Sequence, residues 1–281
     1  MKVLCVLAQR NEVACLEPWV RYHSYMVGIE NIHIIDNASD MPEVVEKIAE
    51  YERLGIHVTR IPPNTDLALR GSYTAQVIQE IEADNSYDFV FPMDCDEFLC
   101  VLDPAGNPSC DRRLIFNYLR GLSSQEGVFR IKAGLENINK VQERFIWRDH
   151  YVKVFFSGRQ CLNLDIGYHV GFPKNGAPVI HTDIFYLHMQ VRPYNMFRYL
   201  ARQKLAPFVD PDDCEALKVH EGANHHLTHL YLKTEEEYDQ FLEEKRQAEQ
   251  VCEVEFTKFT NTLRIIGVNP QFLDNSAYII K

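Results

Sequence analysis

Along the first hundred positions the apolar residues change period several times, and each change marks an element. Residues 3–7 (Val3, Leu4, Cys5, Val6, Leu7) form a short continuous apolar run, the pattern of a strand covered on both faces. Leu16, Trp19, Val20, His23, Met26 and Val27 then recur at helical spacing, with Gly28 placed to stop the helix. A second strand is predicted over 31–35, and a helix over 41–51 with Pro42 in its first turn, where a missing N–H is harmless. The third strand, 56–61, is closed by Pro62 and Pro63. Val77, Ile78 and Ile81 mark a helix over about 71–85, and residues 87–92 make a fourth strand that runs into Met93-Asp94-Cys95-Asp96-Glu97-Phe98. Such alternation predicts an α/β fold with a mostly parallel, doubly wound sheet, whose ligands gather beyond the carboxyl ends of the strands. Three polar clusters follow predicted strands: Asn11 with Glu12, residues 36–40, and residues 94–97. They should therefore meet along one edge of the sheet.

The pattern is less regular downstream. Residues 103–108 read as a loop, 114–119 as a short helix, and 128–131 and 151–156 as strands. A long loop is expected over 167–178, which holds three glycines and two prolines. Residues 194–203 and 235–250 read as helices, with Tyr238, Phe241, Leu242 and Cys252 roughly on one face of the second. The expected division is a nucleotide-binding core over 1–205 and a helical extension over 206–281 packed on it.

Composition narrows the function. A net charge of −11 without a basic block argues against a nucleic-acid partner and against broad adhesion to anionic lipid, while leaving peripheral membrane contact through a local basic face open. No run approaches the roughly 20 apolar residues needed to span a bilayer. The apolar start is too short for a signal peptide and passes into Gln9-Arg10-Asn11-Glu12 without a cleavage site. None of the eight cysteines forms a C-x-x-C pair, and several lie in apolar runs, so reduced thiols and a cytoplasmic location are expected.

The acidic cluster after the fourth strand carries the chemistry. In extended backbone, residues two apart point to the same side, so Asp94 and Asp96 would face one cation while Cys95 faces the core. Hard ions such as Mn²⁺ or Mg²⁺ take one or two carboxylates together with substrate phosphates. Arg10, Asn11, Glu12, Asp36 and Asn37 are candidates for base and ribose contacts; equally, Asn11 or Glu12 caps a helix and Asp36 builds a turn. His220, His225, His226 and His229 lack both a Glu in H-E-x-x-H position and a nearby Cys pair, which favours a structural or surface role over zinc.

The order of these motifs resembles a glycosyltransferase-2-like group of GT-A enzymes, related to family-92 galactosyltransferases. The matching residues are Arg10-Asn11-Glu12, Glu17-Pro18-Trp19, Tyr22-His23, Asp36-Asn37-Ala38-Ser39-Asp40 and Asp94-Cys95-Asp96-Glu97-Phe98. Fainter matches are Gly167-Tyr168-His169 and the stretch from His188 through Arg192 to Phe197 and Lys204. Pro193 stands where that group usually has Ser, and His229 offers a competing match to His188. The resemblance implies a GT-A-like fold with a less regular acceptor side. It also implies transfer of a sugar from a nucleotide-sugar donor, here a UDP-sugar, to a hydroxyl of a glycan or lipid-linked glycan, with inversion. It places Asp94 and Asp96 at the cation, with His188 either a third ligand or, equally, a core histidine satisfied by hydrogen bonds; Arg192 and Lys204 are candidate phosphate contacts, and Arg70 is a candidate for the nucleotide or donor sugar. An inverting transfer needs a base. Glu97, Glu136 and Asp183 are the acidic candidates for catalysis, with Asp165 a further one. A sugar-phosphate nucleotidyltransferase would place a glycine-rich basic loop where Ala8–Ala14 has no glycine; a non-catalytic binding module of the same fold is the other alternative.

Overall fold

The computed structural model describes residues 1–62, 69–138, 141–149, 152–222, 224–248 and 253–273. Pro63, Tyr151, Cys252 and the expected helix end at 249–250 lie outside the described residues.

The first half follows the sequence pattern closely. It runs β1 (Val3–Gln9), α1 (Val13–Val27), β2 (Ile32–Asp36), α2 (Pro42–Arg53), β3 (His57–Arg60), α3 (Arg70–Asp84) and β4 (Phe89–Met93). Gly28 ends α1 at φ 94°, a conformation open to glycine, and Pro42 opens α2. Strands β3, β2, β1 and β4 are parallel neighbours in that order.

The second half holds more strand than its pattern suggested. After β4 come β5 (Glu97–Leu102), β6 (Pro108–Ser109), α4 (Arg112–Leu122), β7 (Val128–Arg130), β8 (Ala133–Ile138) and β9 (Val141–Arg148). Then follow β10 (Val154–Ser157), β11 (Cys161–Leu164), β12 (Gly171–Pro173), β13 (Val179–His181) and β14 (Ile184–His188). The chain continues with α5 (Tyr194–Leu205), α6 (Cys214–Val219), α7 (Thr228–Tyr231), α8 (Glu235–Ala248), β15 (Glu253–Glu255) and α9 (Thr257–Ile265).

The main sheet is ordered β13-β7-β10-β4-β1-β2-β3, and β10 runs antiparallel to both of its neighbours, so the sheet is mixed rather than parallel throughout. Pairing of β10 with β4 stops at Val90, two residues before Pro92, a residue that a fully paired central strand would not accept. A second sheet, β15-β9-β8-β14-β5-β6, packs beside it. Several of its strands carry polar residues without clean alternation, which hid them. The expected loop over 167–178 contains β12 and a single 3₁₀ turn.

Alternation along the strands sorts the core into two layers. Cys5, Leu7, Ile34, Phe89, Phe91 and Phe155 join α1, α2 and the second sheet, while Leu4, Val6, Ile35, Val90 and Phe156 pack on Ala75, Val77 and Ile78 of α3. Phe256, Phe259 and Leu263 belong to the first layer, so α9 shares the main core, whereas α5, α6 and α7 close on a small cluster of Ala201, Leu205, Leu217 and Tyr231. Among the described residues no helix is long and apolar enough to cross a membrane.

His23 ties α1 to the second sheet. One ring nitrogen contacts Trp19 O at 2.9 Å and the other lies 3.5 Å from the Leu99 N–H, with the ring stacked on Phe98. Burial drives its pKa down to about 3. The folded state thus keeps His23 neutral, while the unfolded chain takes a proton near pH 6.5, so this stability is lost as pH falls below 6.5. Burial also raises the carboxyl of Glu97, to about 7, which acts with the opposite sign in the same window. The difference between wild type and variant therefore isolates the histidine. Between pH 6.5 and 5, His23→Gln should gain about 1.5 kcal/mol on wild type in urea unfolding; a parallel pH dependence would refute the assignment.

Candidate active site

The expected convergence occurs at the carboxyl edge of β1, β2 and β4, and hydrogen bonds define it. The Gln9 amide donates to Asp36 Oδ1 at 2.6 Å and to Ser39 Oγ at 3.1 Å. Asn11, at φ 53°, donates to Asp40 Oδ1 at 2.7 Å and accepts from the backbone N–H groups of Asp40 and Met41 at 3.0 and 3.1 Å. The side chains of Asn11 and Asp36 therefore build the loop that enters α2, the turn-forming role open to them from sequence. Arg10 is half-buried, with its guanidinium 4.0 Å from Asp40, and Asn37 is half-buried where β2 ends.

The acidic motif is a turn, not extended backbone. The Glu97 N–H donates to Asp94 O at 3.2 Å, and Glu97 Oε2 accepts from the Asp94 N–H at 2.9 Å. The turn sends the two aspartates to different partners, which corrects the expectation that they face one ion side by side. Asp94 Oδ1 accepts from Arg70, and Oδ2 from Lys153 Nζ at 2.5 Å. Asp96 Oδ2 accepts from Arg192 at 3.1 Å, and Oδ1 lies 3.7 Å from His188 Nε2.

Lys153 escaped the sequence analysis. It enters between the two sheets, donates also to Gly167 O at 2.7 Å, and lies 3.4 Å from Glu97 Oε1. The available signal was a lone lysine inside an apolar strand pattern, since buried lysines need counter-charges. Burial works to raise the Asp94 carboxyl, yet Arg70 and Lys153 hold it well below the usual range. Burial opposes the charge on Asp96 too, and His188 and Arg192 outweigh it. Tyr168 underlies both cations, with Arg70 4.7 Å and Lys153 Nζ 5.5 Å from its ring centroid.

Arg192 is buried and spans two clusters, reaching Glu12 at 3.5 Å as well as Asp96. Its position is fixed by the Tyr238 hydroxyl on its carbonyl at 3.2 Å, and by two hydrogen bonds between Asn137 and the backbone of Val191. Exposed Lys204 on α5 adds positive potential at Asp96.

Strand register decides between the histidines and among the acids. His188 pairs with Glu97 on one side and Glu136 on the other, so these three lie on one face of the second sheet at its edge with the site. His229 packs on Phe241 instead, at 5.8 Å between centroids. Glu136 is buried, with Arg148 Nε 3.1 Å from its carboxylate. Asp183 precedes the opposite end of β14, about 16 Å from His188 at strand rise, and pairs with exposed Lys132, so the structure removes it from the catalytic candidates. Asp165 accepts from the N–H groups of Gly167 and Val170 and shapes the loop carrying Tyr168.

Among the described residues no three His, Cys, Asp or Glu side chains form a metal-binding cluster. Asp96 and His188 stand 3.7 Å apart with their side chains 20% and 29% exposed. That set fits a hard divalent ion only where substrate phosphates supply further oxygens, as is usual for Mg²⁺ at nucleotide sites. Asp94, with both oxygens engaged by cations, does not fit as a ligand in this arrangement.

No protein-family model and no curated protein matches the chain. Among solved structures, S. aureus TarS in complex with UDP-GlcNAc aligns over 89% of this chain and 77% of that one, at 10% identity and TM-score 0.42. Glucosyl-3-phosphoglycerate synthase from Mycobacterium tuberculosis, in complex with phosphoglyceric acid, aligns over 73% and 77%, at 15% identity and TM-score 0.40. A putative glucose-1-phosphate thymidylyltransferase from Bacillus anthracis aligns over 96% and 98%, at 13% identity and TM-score 0.30. Likeness at this level assigns no chemistry, and the functional case rests on the residues themselves.

The Lys153 contacts carry a stability consequence. Lys153→Met leaves Asp94 and Glu97 without their buried cation and should cost roughly 3 kcal/mol in urea unfolding at pH 7. Lys132→Met, which breaks the exposed pair with Asp183, should stay within about 0.5 kcal/mol. Equal losses would show that Lys153 is no more than a surface charge.

Proposed function

We propose that the chain is a glycosyltransferase that moves a sugar from a nucleoside-diphosphate donor, most simply a UDP-sugar, to an acceptor hydroxyl with inversion. One observation carries the reading: the Asp94–Glu97 turn ends a parallel strand at the ligand edge of the sheet, ringed by Arg70, Lys153, Arg192 and His188. Departure of a nucleoside diphosphate develops negative charge, and preorganised cations lower that barrier. Asp96 and His188 would hold Mn²⁺ or Mg²⁺, which supplies further positive charge to the leaving group when bound. Arg70 and Arg192 are assigned to the phosphates, whose planar recognition suits guanidinium groups. Arg10 and Asn37, at the ends of β1 and β2, are assigned to the nucleoside side, with the loop built by Asn11 and Asp36 beneath them.

The acidic pair beside His188 divides the remaining work. Glu97, engaged with the Asp94 N–H and Lys153, holds the turn together. Glu136 is the assigned base, oriented by Arg148. The acceptor is proposed to be a glycan or lipid-linked glycan met in the cytoplasm, at the face where Ile166, Val170 and Phe172 stand about half exposed around the Tyr168 loop.

Calorimetry with UDP, with and without Mn²⁺, tests the donor site. Binding should require the metal and weaken at least about tenfold in Asp96→Ala. UDP binding indifferent to both metal and Asp96 would remove the metal assignment. Turnover tests the base: Glu136→Gln should keep UDP affinity while losing roughly 10²–10⁴-fold in kcat. UDP as product identifies a glycosyl transfer; pyrophosphate would indicate nucleotidyl transfer, and no turnover with any donor a binding module.

A further inference from the structure

The two cations on Asp94 hold it in unequal ways. Lys153 is fixed: its ammonium touches Asp94, Gly167 O and Glu97, and its side chain is 9% exposed. Arg70 stands in the first turn of α3 with its side chain 30% exposed, and meets Asp94 Oδ1 from the more open side. Its guanidinium lies against the ring of Tyr168.

Tyr168 is itself held in an unusual conformation. Its φ is 59°, a left-handed value that costs a non-glycine residue on the order of 1 kcal/mol. The loop enforces it, with the Tyr168 N–H on Asp165 O at 3.1 Å and the Val154 N–H on Tyr168 O at 3.0 Å. The hydroxyl is locked to Thr74 at 2.9 Å. The ring is therefore a rigid surface on which a guanidinium can shift by a few ångströms and keep its aromatic contact.

We propose that Arg70 is an exchangeable placeholder: it neutralises Asp94 in the ligand-free protein and passes to the donor diphosphate, releasing Asp94 Oδ1 for the divalent cation that accompanies the nucleotide. The inference rests on the donor class proposed above. A diphosphate offers a guanidinium more charge and a better bidentate match than one carboxylate oxygen does. Lys153 stays in place and keeps Asp94 ionised and oriented throughout. The exchange spares Asp94 Oδ1, the oxygen that Lys153 does not reach, from standing unpaired before the donor arrives. It also couples the two ligands, since nucleotide frees a carboxylate for metal and, by linkage, metal favours nucleotide by the same factor.

The test is calorimetry with Mn²⁺ alone, UDP alone and both together, on wild type, Arg70→Met and Arg70→Lys. A placeholder requires opposite signs in Arg70→Met: Mn²⁺ alone binds roughly threefold or more tighter, UDP binds about tenfold weaker, and the coupling factor shrinks. Arg70→Lys should restore part of the coupling. A static ion pair predicts that Arg70→Met leaves Mn²⁺ affinity unchanged or weakens both ligands together, and either result overturns the proposal. Loss of the fold in both variants, read by circular dichroism, would make the pair structural and overturn it as well. Failure of wild type to bind UDP defeats the donor assignment, whereas the placeholder fails on the Mn²⁺ arm alone.

Discussion

Much of this molecule is arranged around one half-buried carboxylate. Asp94 ends the central parallel strand, where a charge withdrawn from water demands counter-charge. The two cations that meet the demand come from far apart in sequence, Arg70 from the start of α3 and Lys153 from the approach to β10. These ion pairs join the start of α3 and the approach to β10 to the end of β4, elements that apolar packing and strand pairing already bring together. They also meet the Tyr168 loop, whose aromatic ring lies beneath both cations and whose Gly167 carbonyl accepts from Lys153. Removing the carboxylate would leave two cations crowded at one point; removing both cations would leave a withdrawn carboxylate without counter-charge. Neither half is dispensable alone.

The same logic separates two aspartates that the sequence presents as equals. In a strand, Asp94 and Asp96 would share a side, and an ion between them would be the obvious reading. The turn closed by Glu97 rotates them apart, one towards Arg70 and Lys153, the other towards Arg192 and His188. Their roles differ accordingly. Asp94 organises two protein cations, while Asp96 pairs with Arg192 and stands 3.7 Å from His188. Sequence spacing alone cannot express that distinction, because it depends on the backbone conformation of the turn and on partners 24 to 96 positions away.

What was legible in the sequence was whatever local periodicity encodes. The first four strands and three helices were visible because apolar runs and helical spacing alternate cleanly, with Gly28 and Pro42 as punctuation. The carboxyl-edge site followed from that topology, since strands of one direction bring their ends together. The second sheet was hidden because the sequences of β8 and β9 mix polar residues into both alternating sets, and the pairing of β8 with β14 on one side and β9 on the other is settled by tertiary contacts. Asp183 was misplaced for a related reason: nothing in the sequence says which end of β14 faces the site. Lys153 carries a local signal, a charge inside an apolar strand pattern, but its partners Asp94 and Glu97 lie beyond the reach of any local pattern.

Charge balance suggests how such a site would take an anion. The chain carries a net charge of −11, yet around this turn acids and bases are nearly matched. A pocket of unpaired cations would attract a diphosphate strongly, but would repel itself while empty. A pocket of paired charges avoids that cost, and binding becomes an exchange in which an incoming phosphate competes with a resident carboxylate. The exchange is selective in a way that bare attraction is not. A singly charged anion has little advantage over Asp94 for Arg70, whereas a diphosphate has two phosphates to offer and a metal ion to fill the place vacated. For a diphosphate donor, the Arg70–Asp94 pair would be part of recognition, and its partly exposed position suits that role: deeper it would not exchange, and at the surface it would not matter.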